Sequence, residues 1–357
     1  MKLDELGYKQ LFEDYRKENN LTEFETGRVI AEHKERYIVK TEKKEIEAEI
    51  TGNLRFTAKS RKDFPVVGDW VAIISYGEEQ AIIHKIFPRF SMLSTQAVGQ
   101  AGEIQIIASN IDYALLVQAV DRDFNINRLE RYLTICNSSK VQPIIVLTKT
   151  DLIDKQRVIE IKKSLNKRIR DIPLLTISNQ TQQGYDDLKK IIQQGKTYCM
   201  LGSSGVGKST LSNNLSGKKI MKTGNISDST NKGKHITSHR EVIVLDVGGI
   251  LIDNPGMREI GITDSSSGLE TTFDQITKLS ESCKFSDCKH INEIECAVIK
   301  AVEKGELDHN SYENFLKIER EKAHFESSVA EKRKKDKEFG KMVRSFKNDQ
   351  KKLNNNH

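Results

Sequence analysis

The sequence predicts an α/β protein: a doubly wound, mostly parallel sheet, preceded by a small β-barrel and followed by a helical metal-binding module. Three observations carry this. Residues 23–88 run in short alternating apolar and polar stretches broken by turns; from residue 104 apolar strands alternate with helical patterns; and three cysteines gather with a histidine after residue 280. At 357 residues the chain is long enough for two or three domains, each with its own core. With 37% hydrophobic and 30% charged residues and only 5 prolines, disordered and fibrous classes are excluded.

Taken in order, Leu6, Tyr8, Leu11, Phe12 and Tyr15 recur at near-helical spacing and predict a helix over 3–18. Period-2 runs at 28–31, 37–39, 45–50, 70–74 and 81–86 predict five short strands, the size of an OB-fold barrel. Strands follow at 112–120, 142–148, 173–177 and 197–201, separated by helices at 127–137, 154–170 and 185–193. A helix starts near Lys208, and two further strands occupy 241–246 and 249–253. The expected division is a helical extension (1–22), an OB-like barrel (23–100), a nucleotide-binding domain (101–272), a helical metal-binding module (273–330) and a basic tail (331–357).

The tail holds ten Lys/Arg against four acids, so it accounts for the whole net charge of +6 and leaves the first 330 residues neutral. A basic tail on a neutral body suits attraction to a polyanion such as nucleic acid, and equally a solvated end. Residues 106–120, the longest apolar stretch, are interrupted by Asn110 and Asp112, short of the ~18–20 residues of a membrane span. No apolar leader opens the chain and no lipidated cysteine closes it, so a cytoplasmic monomer without membrane contact is expected.

Residues Gly202-Ser203-Ser204-Gly205-Val206-Gly207-Lys208-Ser209 match G-x-x-x-x-G-K-[ST] between a strand and a helix, with Thr210 next. The glycines let backbone N–H groups turn inward around phosphates, and the helix N-terminus adds its positive dipole end. Lys208 places a charge at the β/γ-phosphates, and the Ser209 hydroxyl is expected on Mg²⁺. The base is read elsewhere. Thr148-Lys149-Thr150-Asp151 ends an apolar strand, where ligands of open α/β sheets bind. The Asp151 carboxylate would accept from guanine N1 and N2, Lys149 would lay its stem along the purine, and backbone N–H groups near Ser178 and Asn179 would meet O6. Asp253-x-x-Gly256 follows another strand, with Asp253 expected on Mg²⁺ through water and Gly256 at the γ-phosphate. In the polar segment between, Thr237 is the expected second magnesium-side hydroxyl, with Ser238 as the alternative.

The base-reading residues precede the phosphate loop, the reverse of the order in Ras-like chains, so the nucleotide domain reads as a circularly permuted GTPase. Together with Pro65-Val66-Val67-Gly68-Asp69-Trp70, Ile86-Phe87-Pro88-Arg89 and Asn110-Ile111-Asp112, this order resembles the small-ribosomal-subunit-dependent GTPase family of RsgA (YjeQ) type, over about residues 25–320. The resemblance implies GTP hydrolysis in late maturation of the small ribosomal subunit, with the subunit and its rRNA as partners. Thr148 replaces a more common Asn, Ile236 interrupts a run of Thr, and Thr95 stands where a basic residue is frequent.

Met257 follows D-x-x-G where Ras-type enzymes carry a water-orienting Gln, so slow intrinsic turnover is expected. His235 is the candidate for that role, as the resemblance also implies, and joins Lys208 as a catalytic candidate. Cys283-x4-Cys288-x-His290-x5-Cys296 offers four N/S ligands with no open position, which suits a structural tetrahedral Zn²⁺. Cys136 and Cys199 read as core residues. Two other functional classes remain: an RNA-binding module that holds GTP only to stabilise its fold, and an ATP-using phosphate-loop enzyme, against which Asp151 argues.

Overall fold

The computed structural model describes residues 1–33, 36–96, 103–121, 124–217, 241–253 and 266–354. The predicted N-terminal helix is split: a 3₁₀ turn, Asp4–Leu6, precedes α1, Gln10–Glu18. Between them Gly7 sits at φ 86°, a left-handed conformation that ends a right-handed helix.

Strands β1 (Glu25–His33), β2 (Arg36–Lys40), β3 (Glu45–Ile50), β4 (Trp70–Tyr76) and β5 (Gln80–Ile86) form the barrel, with α2 (Gly52–Thr57) between β3 and β4. The strand order is β1-β2-β3-β5-β4, closed by β4 on β1 at Arg28↔Trp70, and β3 with β5 is the parallel pair. Alternate residues point inward, as the period-2 pattern requires: Val29, Tyr37, Val39, Ile46, Ala48, Ile73, Ala81 and Ile83 fill the interior. Strands β6 (Met92–Gln96) and β7 (Ile104–Ser109) pair as an antiparallel hairpin that the sequence pattern did not reveal, because Ser94, Thr95 and Gln96 break the apolar run. The expected domain division at residue 100 falls between these two strands.

The nucleotide-domain sheet has strands β8 (Tyr113–Ala119), β9 (Gln142–Thr148), β10 (Leu174–Thr176), β11 (Thr197–Leu201), β12 (Glu241–Val244) and β13 (Ile250–Asp253). Helices α3 (Ile126–Ser138), α4 (Lys155–Arg168), α5 (Tyr185–Ile191) and α6 (Lys208–Ser216) connect them. The order is β10-β9-β8-β11-β13-β12, parallel except for β12, which runs antiparallel to β13. The chain steps outward from β8 to β10 and then returns to place β11 on the other side of β8. That reversal opens a crevice at the strand C-termini. Cys136 and Cys199 are buried in the core on one face.

Barrel and sheet are joined by the β1–β12 pair at Ala31↔Glu241 and by polar side chains. The fully buried Arg28 guanidinium donates to the carbonyls of Leu6 (2.6 Å), Gly68 (3.3 Å) and Asn110 (3.2 Å). It thereby ties the N-terminal extension, the barrel and the entry to β8 at one point. Lys9 adds a 2.7 Å ion pair to Asp112, whose other oxygen accepts from the backbone of Thr197 at the start of β11.

Four helices close the chain: α7 (Ser266–Thr272), α8 (Asp274–Ser280), α9 (Ala297–Glu303) and α10 (His309–Asn354). The expected boundary at 330/331 lies inside α10, since 309–354 holds no proline and only Gly340, and its Lys, Glu and Ala residues favour helix. The C-terminal helices dock through a buried carboxylate. Glu130 of α3 accepts from Arg168 (2.9 and 2.7 Å), Ser311 (3.1 Å) and Asn314 (2.6 Å), linking α3, α4 and α10. Burial pushes the Glu130 carboxyl up, against the pull of Arg168, so the partners offset a desolvation cost rather than add a large surplus.

Candidate nucleotide site and metal centre

The phosphate loop leaves buried β11 where the backbone leaves no room for side chains. A Cβ at Gly202 would stand 2.3 Å from the Val117 carbonyl oxygen. Gly205 (φ 78°) and Gly207 (φ 97°) are left-handed, and Gly207 is the N-cap of α6, so the loop turns its N–H groups toward the helix N-terminus. Lys208 reaches back across the loop, its Nζ donating to the carbonyls of Gly202 (2.5 Å) and Ser203 (2.6 Å). Ser203 is also hydrogen-bonded to Tyr132 of α3.

The residues expected to read the base gather on the same crevice. Thr148, fully buried, donates from Oγ1 to the Val206 carbonyl at 2.6 Å. Lys149 takes a left-handed conformation (φ 60°), and its ammonium pairs with Asp121 Oδ2 at 2.7 Å. Asp151 lies at the surface and accepts from Ser178 Oγ at 2.6 Å, a bond that fixes the carboxylate. The Ser178 N–H donates to the Gln183 carbonyl at 3.0 Å, while its hydroxyl accepts from Gln180 N (3.2 Å) and Thr181 N (3.0 Å).

Asp253 ends β13, and the register Cys199↔Ile252 places it at the same end of the sheet as the phosphate loop. His235, Thr237, Ser238, Gly256 and Met257 lie outside the described residues. Asp121 was missed by sequence reasoning; an acid at the end of β8, next to the strand bearing Lys149, was its signal.

The second constellation is the cluster of Cys283, Cys288, His290 and Cys296, whose ligand atoms all lie within 4.8 Å of one another. Cys283 Sγ is 3.8 Å from Cys296 Sγ and 3.6 Å from His290 Nδ1, and His290 Nδ1 is 3.4 Å from Cys296 Sγ. A tetrahedron with metal–sulfur bonds of about 2.3 Å has edges of about 3.8 Å, so the donors fit one four-coordinate ion. Local backbone holds them in place. His290 is left-handed (φ 58°), with its carbonyl accepting from Tyr312 Oη at 2.5 Å, and Cys296 caps α9 by accepting from Ile299 N at 3.5 Å. Partial burial works against the Cys283 thiolate, yet backbone N–H groups of Ala297 and Val298 bring this thiol below its usual range.

The family model described as RsgA GTPase matches residues 86–263. A model described as ABC transporter also matches residues 185–350, a stretch that holds the phosphate loop but not Asp151; among the described residues no helix is long and apolar enough to cross a membrane. The chain is 41% identical over 322 residues to small ribosomal subunit biogenesis GTPase RsgA 1 of Bacteroides thetaiotaomicron, covering 90% of each chain. It is 35% identical over 350 residues to RsgA 2 of Vibrio parahaemolyticus, covering 98% of this chain and 94% of that one. Among solved structures, YjeQ from Thermotoga maritima matches with a TM-score of 0.60 at 25% identity, over 82% of this chain and 96% of that one. YloQ, described as a circularly permuted GTPase, matches with a TM-score of 0.60 at 27% identity, over 87% and 96%. The G-x-x-x-x-G-K-S loop and the Thr148–Asp151 motif meet in one crevice in permuted order, and the likeness to these GTPases extends over nine-tenths of the chain; the chain belongs to the RsgA GTPase family of GTP-hydrolysing enzymes.

Proposed function

We propose that this GTPase acts in late maturation of the small ribosomal subunit, hydrolysing GTP slowly on its own and faster when docked on the subunit. The observation that carries the reading is the 41% identity, over 90% of each chain, with a relative named for biogenesis of that subunit. In this reading the OB-like barrel, the C-terminal module and the basic end of α10 contact rRNA, and the protein works as a cytoplasmic monomer. Ser209 and Thr237 supply hydroxyls to the Mg²⁺ that accompanies GTP and neutralises its developing charge. Zinc is the ion of the Cys283, Cys288, His290 and Cys296 site, since three thiolates and an imidazole in a closed tetrahedron favour it. Lys208 stabilises charge on the phosphates. His235 orients the attacking water in place of the missing Gln, because the Met257 thioether is at best a weak acceptor.

The test is steady-state GTP hydrolysis with and without purified small subunits, for wild type and His235→Ala. The expected result is a subunit-stimulated rate that falls in His235→Ala while GTP affinity is kept, as for a group acting mainly in the transition state. GTP binding without turnover in either condition would instead favour an RNA-binding module that uses GTP structurally, and equal competition by ATP would overturn the guanine reading.

A further inference from the structure

The loop after β10 makes a contact that the guanine-reading scheme does not use. Asn179, immediately after Ser178, donates from Nδ2 to the carbonyl oxygen of Gly207 at 3.0 Å. Gly207 is the residue before Lys208, and its carbonyl also accepts the first helical bond of α6 from Leu211 N at 2.9 Å. The fit is close: a Cβ at Gly207 would lie 2.4 Å from Asn179 Nδ2.

The amide is not free to turn. Tyr185, buried at the start of α5, donates from its hydroxyl to Asn179 Oδ1 at 2.7 Å. Burial pushes the Tyr185 phenol up to about 12, so the donor keeps its proton at any working pH. The same hydroxyl accepts from Asn214 Nδ2 at 2.9 Å, and Asn214 Nδ2 also lies 3.3 Å from the Asn179 carbonyl. Asn214 belongs to α6, the helix that the phosphate loop opens into. Each group therefore has its role set by its neighbour. Turning the Asn179 amide over would set an oxygen against the Gly207 oxygen and an NH₂ against the Tyr185 proton.

We propose that Asn179, oriented by Tyr185 and Asn214, is a positioning residue that holds the guanine-reading loop at a fixed distance from the phosphate loop. The nucleotide must satisfy both ends at once, with its base against the loop carrying Ser178 and its phosphates against the loop ending at Lys208. A bond between the two loops removes their relative freedom before binding and so lowers the cost of engaging both. The tie acts on GDP and GTP alike, since it touches neither the γ-phosphate nor the attacking water.

The test uses full-length protein: binding of fluorescent GDP, steady-state GTP kinetics and thermal unfolding without nucleotide, for wild type, Asn179→Ala, Tyr185→Phe and the double variant. Losing one net hydrogen bond predicts a loss of GDP and GTP affinity of about three- to tenfold in Asn179→Ala, with kcat within about twofold. Tyr185→Phe, which keeps the ring and serves if Asn179→Ala fails to fold, should move affinity in the same direction by less. The double variant should match Asn179→Ala, because the phenol acts through the amide. Unchanged nucleotide affinity in folded Asn179→Ala, a fall in kcat at constant KM, or additive effects in the double variant would overturn the proposal. Failure of wild type to bind guanine nucleotides would count against the GTPase assignment instead.

Discussion

Thr148 donates its hydroxyl to the carbonyl oxygen of Val206 across 2.6 Å, so the first residue of the base-reading motif is bonded to the middle of the phosphate loop. Thr148 is shorter than the Asn more common in the family at this place, yet its hydroxyl reaches the loop. Both partners are buried, and removing the donor strands a carbonyl. Thr148→Ala should lower stability by about 1–3 kcal/mol, read as a drop in the thermal midpoint, and weaken GDP binding. A variant with wild-type midpoint and affinity would show that the bond contributes nothing.

Asp151→Asn should convert the base preference. The carboxylate is held by Ser178 Oγ at 2.6 Å and, in the proposed role, would accept from donors on guanine; an amide presents a donor there, which matches xanthine. Competition binding should show xanthosine diphosphate gaining and GDP losing at least about tenfold. Retained GDP preference would place base reading on other residues.

Cys288→Ser or chelation should loosen the C-terminal helices, because metal binding contributes folding free energy directly. The metal content of protein purified without chelators, expected near one zinc per chain, checks the ion. Retention should weaken as pH falls, since the thiolates and His290 must be deprotonated to bind. Protein free of metal with an unaltered melting profile would remove the structural role.

Arg28→Met should unfasten the junction of barrel and nucleotide domain. Burial pushes this guanidinium down to about 10, so it remains charged at neutral pH. Its loss leaves the carbonyls of Leu6 and Asn110 without their donor, while that of Gly68 still accepts from Asn110 Nδ2 at 3.1 Å. A cost of roughly 2–4 kcal/mol follows if each of the two stranded groups costs about 1–2 kcal/mol. Trp70 is the only tryptophan in the chain and is stacked near Arg28, with the guanidinium carbon 5.8 Å from its ring centre. Its fluorescence should shift to longer wavelength at lower denaturant in the variant, and coincident curves would mean that the arginine carries no stability.

Truncation after Ala330 should leave basal GTP turnover unchanged and weaken binding to the small subunit. It removes the whole formal charge of +6, so the fall of affinity with salt should become shallower as phosphate contacts are lost. Equal salt slopes for full-length and truncated protein would make the end of α10 a solvated helix only.

Local pattern carried far into this fold. Strands β9 and β11 fall at 142–148 and 197–201, as predicted from apolar runs with turn signals at either end. The barrel strands were legible because one face of each is buried, which imposes period 2 on the residues. The break at Gly7 and the strand at 92–96 leave no such mark, for the complementary reason. A single left-handed residue leaves apolar spacing intact, and a hairpin rich in Ser, Thr and Gln lacks the alternation that marks a strand.

By itself the sequence determined which chemical groups exist and in what local order: the loop from Gly202 to Ser209, the acid Asp151, the donors Cys283, Cys288, His290 and Cys296, and the permuted order that marks the family. These signals are legible because each needs particular residues at fixed short spacing. Only the tertiary structure decided who touches whom across long separations. Thr148 and Asn179, from two different strand ends, reach adjacent carbonyls of one loop; Arg28 collects three carbonyls from three segments; Glu130 receives α10 from 184 residues away. A buried polar side chain must find a partner, but its own sequence neighbourhood does not say which, because that partner is brought to it by strand order and helix packing.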